Sequence, residues 1–176
     1  MGVQAAGRTA PALAQAAPSQ PAAAKPPPMT TAALAQEMTE RLAAPDCQSL
    51  RLDMAPLQAL QQLLHPLGLG IRVLGCPMAP APLQQRVLAV TAMVLNGGKA
   101  VDTVRGALGD GEPVDMGSDY RPSPWPVQGD AAQAQAADDA EVSPDVQFNR
   151  RWLRSVMASQ GYASVTGPWW AFIRVP

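Results

Sequence analysis

The residues of this chain that could bind a metal ion are few. His65 is its single histidine, and Cys47 and Cys76 are its two cysteines. Metalloenzymes normally use imidazole ligands, and this chain supplies at most one. A zinc site of His65, Cys76 and Asp102 is chemically allowed, since zinc accepts nitrogen, sulfur and oxygen, but nothing in the spacing supports it. The simpler interpretation of His65 is a residue at a helix C-terminus, where partial positive charge suits the helix dipole.

The two cysteines are too few for a disulfide framework. Cys47 and Cys76 could form one bridge if the protein is exported, or stay as thiols if it is not. Of these alternatives we favour small, buried thiols.

Two further clusters could contact phosphate. Residues 149–154 include one asparagine and three arginines, but few basic residues flank them, so we interpret them as a solvent-exposed helix face. The pair Gly97-Gly98 lacks the rest of a phosphate-binding loop and predicts no nucleotide site.

The composition excludes other classes of protein. The chain has 13 basic and 14 acidic residues, a balance that does not indicate binding to nucleic acid or to an anionic membrane. No apolar run approaches the ~20 residues of a membrane-spanning helix. The length of 176 residues predicts one domain with an extra segment.

The extra segment is predicted over residues 1–29. It is rich in alanine and proline without apolar periodicity, which predicts a disordered or polyproline-like tail before a folded domain over 30–176. Residues 11–16 resemble the small-residue end of a secretory signal peptide, although the apolar stretch that should precede it is missing. We lean towards an exported, periplasmic protein, with a cytoplasmic one as the alternative.

Apolar periodicity and capping residues predict four helices. They cover residues 31–42, 54–67, about 83–95, and 144–160. The last begins at a Ser-Pro-Asp cap, and its buried stripe is predicted on Phe148, Trp152, Val156 and Met157.

Short strands are predicted over 71–74, 100–104 and 169–175, with a turn at 109–111 and a polar loop over 121–144. Helices and short strands without βαβ alternation indicate an α+β domain with a small antiparallel sheet and flanking helices.

Three segments, in order, resemble the zinc D-alanyl-D-alanine dipeptidases of the vancomycin-resistance type. Segment 149–170 contains NRRWLRSVM, then glycine, then a tryptophan pair; in the family such a helix leads into a strand with the motif EWWH. Segment 100–118 contains AVD and then GEPVDMGS, similar to the family's SxHxxGxAVD motif and MGS turn. Segment 67–75 resembles, more weakly, the strand before the family's GYRP turn. The similarity is clearest over 98–176 and implies a D-Ala-D-Ala dipeptidase/Hedgehog-like fold.

The resemblance also implies a mechanism. In the family, two histidines and an aspartate hold zinc and leave one position open for water. The metal lowers the pKa of that water, a glutamate acts as general base and then acid, and an arginine stabilises the oxyanion.

The family's metal ligands are mostly replaced here. Its aspartate falls on Asp102, but the histidine seven residues earlier falls on Leu95, and the serine before that histidine falls on Met93. The histidine of EWWH falls on Ala171. One ligand of three remains, so zinc is expected to bind weakly or not at all.

The acid–base and oxyanion groups are also replaced. The glutamate of EWWH falls on Pro168, and the arginine of GYRP falls near Pro77. Trp169, Trp170 and Ser118 remain as candidates for a substrate pocket, with core packing as the favoured interpretation of the tryptophans.

The sequence therefore predicts a catalytically degenerate member of this peptidase family, a pseudoenzyme of peptidoglycan chemistry whose partners would be D-Ala-D-Ala-type peptides. Two alternatives remain open. One is a working zinc dipeptidase with a rebuilt site, and the other is a helical interaction protein whose similarity to the family is accidental.

Overall fold

The computed structural model describes residue 2, residues 27–126 and residues 142–176. Almost all of the tail predicted over 1–29, and most of the loop predicted over 121–144, lie outside these residues. The helices are α1 (Thr31–Leu42), α2 (Pro45–Gln48), α3 (Met54–Leu64), α4 (Gly97–Ala100) and α5 (Pro144–Ala158). The strands are β1 (Leu69–Gly75), β2 (Leu88–Val94), β3 (Tyr162–Ser164) and β4 (Ala171–Arg174).

The strands of the described part form one four-stranded antiparallel sheet in the order β1-β2-β4-β3. Helices α1 and α3 pack against β1, and α5 packs against β3. The predicted α+β class, with a small antiparallel sheet and flanking helices, is confirmed. None of the described helices is long and apolar enough to cross a membrane.

The first helices follow their sequence signals. The Thr30 hydroxyl caps α1, which buries Leu34 and Met38 one turn apart. The Asp53 carboxylate caps α3, and a short 3₁₀ turn then ends at Gly68, whose φ of 70° is left-handed. Both predicted helices are confirmed, because caps and apolar spacing agree with the packing.

Gln61 on α3 covers the outer edge of β1. Its Nε2 donates to the Ile71 carbonyl oxygen at 2.7 Å, and its Oε1 accepts from the Ile71 amide at 2.9 Å. The glutamine is buried, at 3% exposure. One amide side chain thus satisfies both outward backbone groups of Ile71 on this edge strand.

The helix predicted over about 83–95 is wrong, because β2 occupies most of this segment. Every residue of β2 is buried, in a strand that lies between β1 and β4 in the sheet. A strand buried on both faces has no alternation of apolar and polar residues, so its sequence resembles that of a buried helix.

The strand predicted over 100–104 is also wrong. The Asn96 side chain accepts from the Lys99 amide and begins α4, and a turn follows. The Gly97 amide donates to the Asp110 carboxylate at 2.7 Å, which fixes the start of the helix. Val101, a strand-forming residue, is 54% exposed and gains no packing that would favour a strand.

Helix α5 begins as predicted at Ser143, whose side chain accepts from the Val146 amide. Its buried face differs from the predicted stripe: Met157 is buried, but Phe148 is 37% exposed, and Arg105 lies over its ring at 4.4 Å. The buried residues of α5 are Val146, Asn149, Arg150, Leu153 and Met157.

The remaining strands agree in part with the sequence. The strand predicted over 71–74 lies inside β1, and the one predicted over 169–175 contains β4. Strand β3 was not predicted, since its three residues are too few to show a pattern.

Cys47 in α2 and Cys76 after β1 form a disulfide, with their Cα atoms 5.0 Å apart. The favoured interpretation as free thiols is therefore wrong. Asp46 of α2 also joins this helix to the residue after β1, because its carboxylate accepts from the Cys76 amide at 3.1 Å. The same carboxylate forms a two-pronged ion pair with Arg41 of α1, at 2.8 and 2.7 Å.

Candidate functional site

A cleft of about 800 Å³ lies on one face of the sheet. Side chains of a strand alternate between faces, so Arg72 and Leu74 of β1 share a face with Thr91 and Met93 of β2. Arg72 and Thr91 are directly paired, and all four residues line the cleft. Trp169, two residues before β4, lines it beside them.

The opposite wall is the loop over residues 107–120. It pairs with β2 through the Val114 amide, which donates to the Ala92 carbonyl oxygen at 2.9 Å. The chain then turns at Gly117, whose φ is 81°, and the Asp115 carboxylate accepts from the Gly117 amide at 2.8 Å. This is the Met-Gly-Ser turn noted in the sequence.

Asn149 and Arg150 of α5 hold this wall in place. The Asn149 side chain donates to the carbonyl oxygens of Arg105 and Asp115, each at 3.0 Å, and accepts from the Arg105 amide at 2.8 Å. Arg150 donates from Nε to the Met116 carbonyl oxygen at 2.8 Å. Both residues are buried, at 0% and 1% exposure.

The interpretation of this helix segment as a solvent-exposed face is therefore wrong for Asn149 and Arg150. Their burial could have been predicted from their positions along the helix but not from their residue types. Counted from Val146, Asn149 and Arg150 stand at i+3 and i+4 and Leu153 stands at i+7, which is the spacing of a buried helix stripe.

The two adjacent tryptophans have different roles. Trp169 donates from Nε1 to the Ser118 hydroxyl at 3.1 Å, which connects the floor of the cleft to its wall. Trp170 is 1% exposed and makes edge-to-face contacts with Tyr120 and Trp125, at centroid distances of 4.8 and 5.1 Å. Of the pocket candidates, Trp169 and Ser118 thus line the cleft, whereas Trp170 packs in the core.

Charge in the cleft is mostly negative. Glu112, Asp115 and Asp119 are exposed on the wall, and the Arg72 Nε lies 3.0 Å from the Glu37 carboxylate.

The hydroxyl of Tyr120, which also lines the cleft, adds a polar group. Burial raises its pKa above the ordinary value for tyrosine, so this hydroxyl remains protonated at neutral pH. It can therefore donate a hydrogen bond to a ligand.

The positions that correspond to the family's zinc ligands are Leu95, Asp102 and Ala171, and the structure does not bring them together. Ala171 is buried and pairs with Ala89. Leu95 lies six residues after Ala89, which at ~3.3 Å per residue of strand places it about 20 Å from Ala171. The Leu95 amide there donates to the Gly68 carbonyl oxygen. Asp102 is exposed in the turn after α4. Zinc ligands must lie within about 2.3 Å of one ion, so these three positions do not form one site.

Besides its direct partner Ala89, the β2 residue on the same face near Ala171 is Thr91. It is two residues along from Ala89 on the same face, which places it diagonally across the strand pair, roughly 7–8 Å away. The Thr91 hydroxyl and the Ala171 methyl group are not the carboxylate or imidazole ligands that a zinc site of this family needs. Pro168, which is buried, and Pro77, which is half-buried, provide no general base and no cation.

A rebuilt site of His65, Cys76 and Asp102 finds no support either. The His65 Nδ1 lies 2.6 Å from the Thr31 hydroxyl, and Cys76 is in the disulfide. Across residues 27–126 and 142–176, no three His, Cys, Asp or Glu side chains are grouped so as to hold a metal ion. The donor set that the structure describes therefore does not fit zinc.

Comparison with known families agrees with this scaffold. The family model described as D-ala-D-ala dipeptidase matches residues 84–175, slightly more than half of the chain, from just before β2 to the end of β4. No curated protein and no solved structure matches the chain. The family match removes the alternative of an accidental similarity. The chain belongs to the D-Ala-D-Ala dipeptidase family of peptidases.

Proposed function

We propose that this protein is a catalytically degenerate member of its family, which binds short D-Ala-D-Ala-type peptides in the cleft without hydrolysing them. The observation that carries the proposal is a well-formed cleft with the Met-Gly-Ser wall in a chain that has lost the family's ligands and general base. The cleft, its wall and Trp169 are in place, whereas Leu95, Pro168 and Ala171 stand where the family has two ligands and a base.

The lining of the cleft supports a peptide ligand. Leu74 and Trp169 offer apolar surface to small side chains such as methyl groups. Ser118 and Tyr120 provide hydroxyls, and the exposed carboxylates on the wall would favour a free amino group. A volume of about 800 Å³ lies within the ~300–1,000 Å³ of typical small-ligand sites.

The first experiment measures turnover and metal content together. Purified protein is incubated with D-Ala-D-Ala and one equivalent of zinc, and released D-Ala is assayed. We expect no release above the protein-free rate, and well below one zinc per chain after desalting. Release of D-Ala with about one zinc per chain would refute degeneracy, and its loss in Asp102→Ala would favour the rebuilt-site alternative.

The second experiment tests binding by titration calorimetry with D-Ala-D-Ala. Trp169→Phe removes the indole N–H that holds Ser118, so we expect affinity to fall about five- to tenfold, corresponding to ~1–1.5 kcal/mol. Trp152→Phe on α5, outside the cleft, is the matched control and should bind like the unaltered protein. Equal affinity in both variants, or no binding by the unaltered protein, would contradict a peptide site in this cleft.

A further inference from the structure

A second cavity, of about 470 Å³, lies away from the cleft. It lies where the loop between α2 and α3 meets the beginning of β2 and the end of β4. Leu50 and Leu52 provide partly exposed apolar surface in it, backed by the buried side chains of Leu88 and Phe172. None of these residues lines the cleft, so the cavity is a separate feature of the fold.

The charged side chains that line this cavity are both arginines, Arg86 and Arg174. Arg86 donates from Nη1 to the Cys76 carbonyl oxygen at 2.9 Å, and Arg174 donates from Nη1 to the Gln160 carbonyl oxygen at 2.8 Å. Each guanidinium is thus held in position by a neutral carbonyl group. No salt bridge of either arginine occurs in the described part of the chain.

Tyr162 lines the same cavity and is 1% exposed. Its hydroxyl is buried and makes no hydrogen bond of ordinary length among the described residues, although the Arg174 guanidinium, 5.3 Å from the ring centroid, is close enough to interact with it electrostatically. A buried hydroxyl without a partner carries a desolvation cost of about 1–3 kcal/mol. An acceptor entering the cavity would remove that cost.

The charge on the cavity wall is positive, from Arg86 and Arg174. Arg51 stands between Leu50 and Leu52 in the sequence but is exposed and is not one of the lining residues. Asp53 is the nearby acid, and its carboxylate accepts from the Ala55 amide at 3.0 Å to cap α3. The cavity therefore combines fixed guanidinium donors with apolar walls.

We propose that this cavity binds an amphipathic anion, a carboxylate or phosphate attached to a short apolar group. Guanidinium groups form the strong, charge-assisted hydrogen bonds that such anions accept. The Tyr162 hydroxyl would donate a further hydrogen bond, and Leu50 and Leu52 would cover the apolar part of the ligand. The proposal does not depend on what the cleft binds.

The test uses calorimetry with three matched probes on the full chain. Hexanoate carries both features, hexan-1-ol lacks the charge, and inorganic phosphate lacks the apolar group. We expect hexanoate to bind at least about tenfold more tightly than either of the other two. Equal affinity for hexan-1-ol would overturn the role of the arginines, and equal affinity for phosphate would overturn the role of the apolar walls.

Variants then locate the site. Arg86→Gln and Arg174→Gln should each weaken hexanoate binding about tenfold, whereas Arg151→Gln, on the exposed side of α5, should leave it unchanged. Tyr162→Phe should weaken binding several-fold and leave the Tm of the free protein unchanged or higher, because it removes an unpaired hydroxyl. Unchanged affinity in both arginine variants, with Tm preserved, would refute the site. A lower Tm in Tyr162→Phe together with unchanged affinity for hexanoate would show that the Tyr162 hydroxyl is not part of the binding site.

Discussion

At the scale of single residues, Asn149 and Arg150 determine how α5 and the cleft wall fit together. Their side chains bind carbonyl oxygens at residues 105, 115 and 116, none of which could pair within a helix or strand of the sheet. Polar residues that look suited to solvent thus act as buried connectors between elements. Their contribution is structural, since it satisfies backbone groups that burial would otherwise leave unpaired.

Replacing Asn149 with alanine should destabilise the protein. Three hydrogen bonds to Arg105 and Asp115 would be lost inside the fold, with an expected loss of about 2–4 kcal/mol in the free energy of unfolding. Urea denaturation measures it. Ser155→Ala, at an exposed position of the same helix, should change stability by less than about 0.5 kcal/mol. A similar loss of unfolding free energy in the two variants would show that the hydrogen bonds of Asn149 do not stabilise the fold.

Asp46 predicts an acid-sensitive contribution to stability. Its hydrogen bonds with Arg41 lower the pKa of the carboxyl from 3.8 to about 2. Because the folded-state pKa is depressed, the stabilisation is present above about pH 4 and is lost as the pH falls towards 2. We expect on the order of 1–2 kcal/mol, reduced by solvent screening of a pair that is about 30% exposed.

The measurement is the free energy of unfolding at pH 5 and at pH 2.5, for the unaltered protein and for Asp46→Asn. The variant should show a smaller decrease between the two pH values, since it has no carboxyl to protonate. An identical decrease in both proteins would assign the acid sensitivity to other groups.

At the scale of elements, capped helices could be predicted from the sequence, and strands were predicted less well. Helices α1, α3 and α5 carry caps and apolar spacing in their own residues. The segment 88–94 becomes a strand only because β1 and β4 lie on either side of it, which no local pattern records. The candidate site shows the same limit. The positions of the family motifs can be identified in the sequence, but the distance between Leu95 and Ala171 depends on the register of β2 against β4, which the sequence does not show.

The turn at Gly117 offers a test of how firmly the cleft wall is built. A Cβ there would lie 2.8 Å from the Val146 side chain, at a φ of 81°, whereas Gly111 has a similar φ of 83° and nothing within 4 Å. Gly117→Ala should therefore cost more than Gly111→Ala, about 2–4 against ~1 kcal/mol. Chemical denaturation of both variants separates the packing clash from the backbone effect, and equal losses would mean that Val146 moves aside freely.

At the scale of the whole molecule, the disulfide joins the N-terminal helices to the sheet. Cys47 and Cys76 are 29 residues apart in sequence, and the loop that they close contains α3 and β1.

Reduction of this bridge should lower stability by about 3–4 kcal/mol, the magnitude for a closed loop of this length. Thermal unfolding with and without reductant measures the effect, and Cys47→Ala/Cys76→Ala should reproduce it without reductant. A thiol titration of the denatured, unreduced protein should find no free thiol from these two residues. Two reactive thiols together with an unchanged Tm under reductant would contradict the bridge.

The contact between Gln61 and Ile71 has a consequence for association between copies of the protein. Strand β1 ends the sheet on one side, and an uncovered sheet edge is a template on which other chains add strands. While α3 stays docked, its amide occupies this position and blocks such addition. Any local opening that lifts α3 would expose the edge, so the docking of one short helix protects the folded protein from edge-to-edge aggregation.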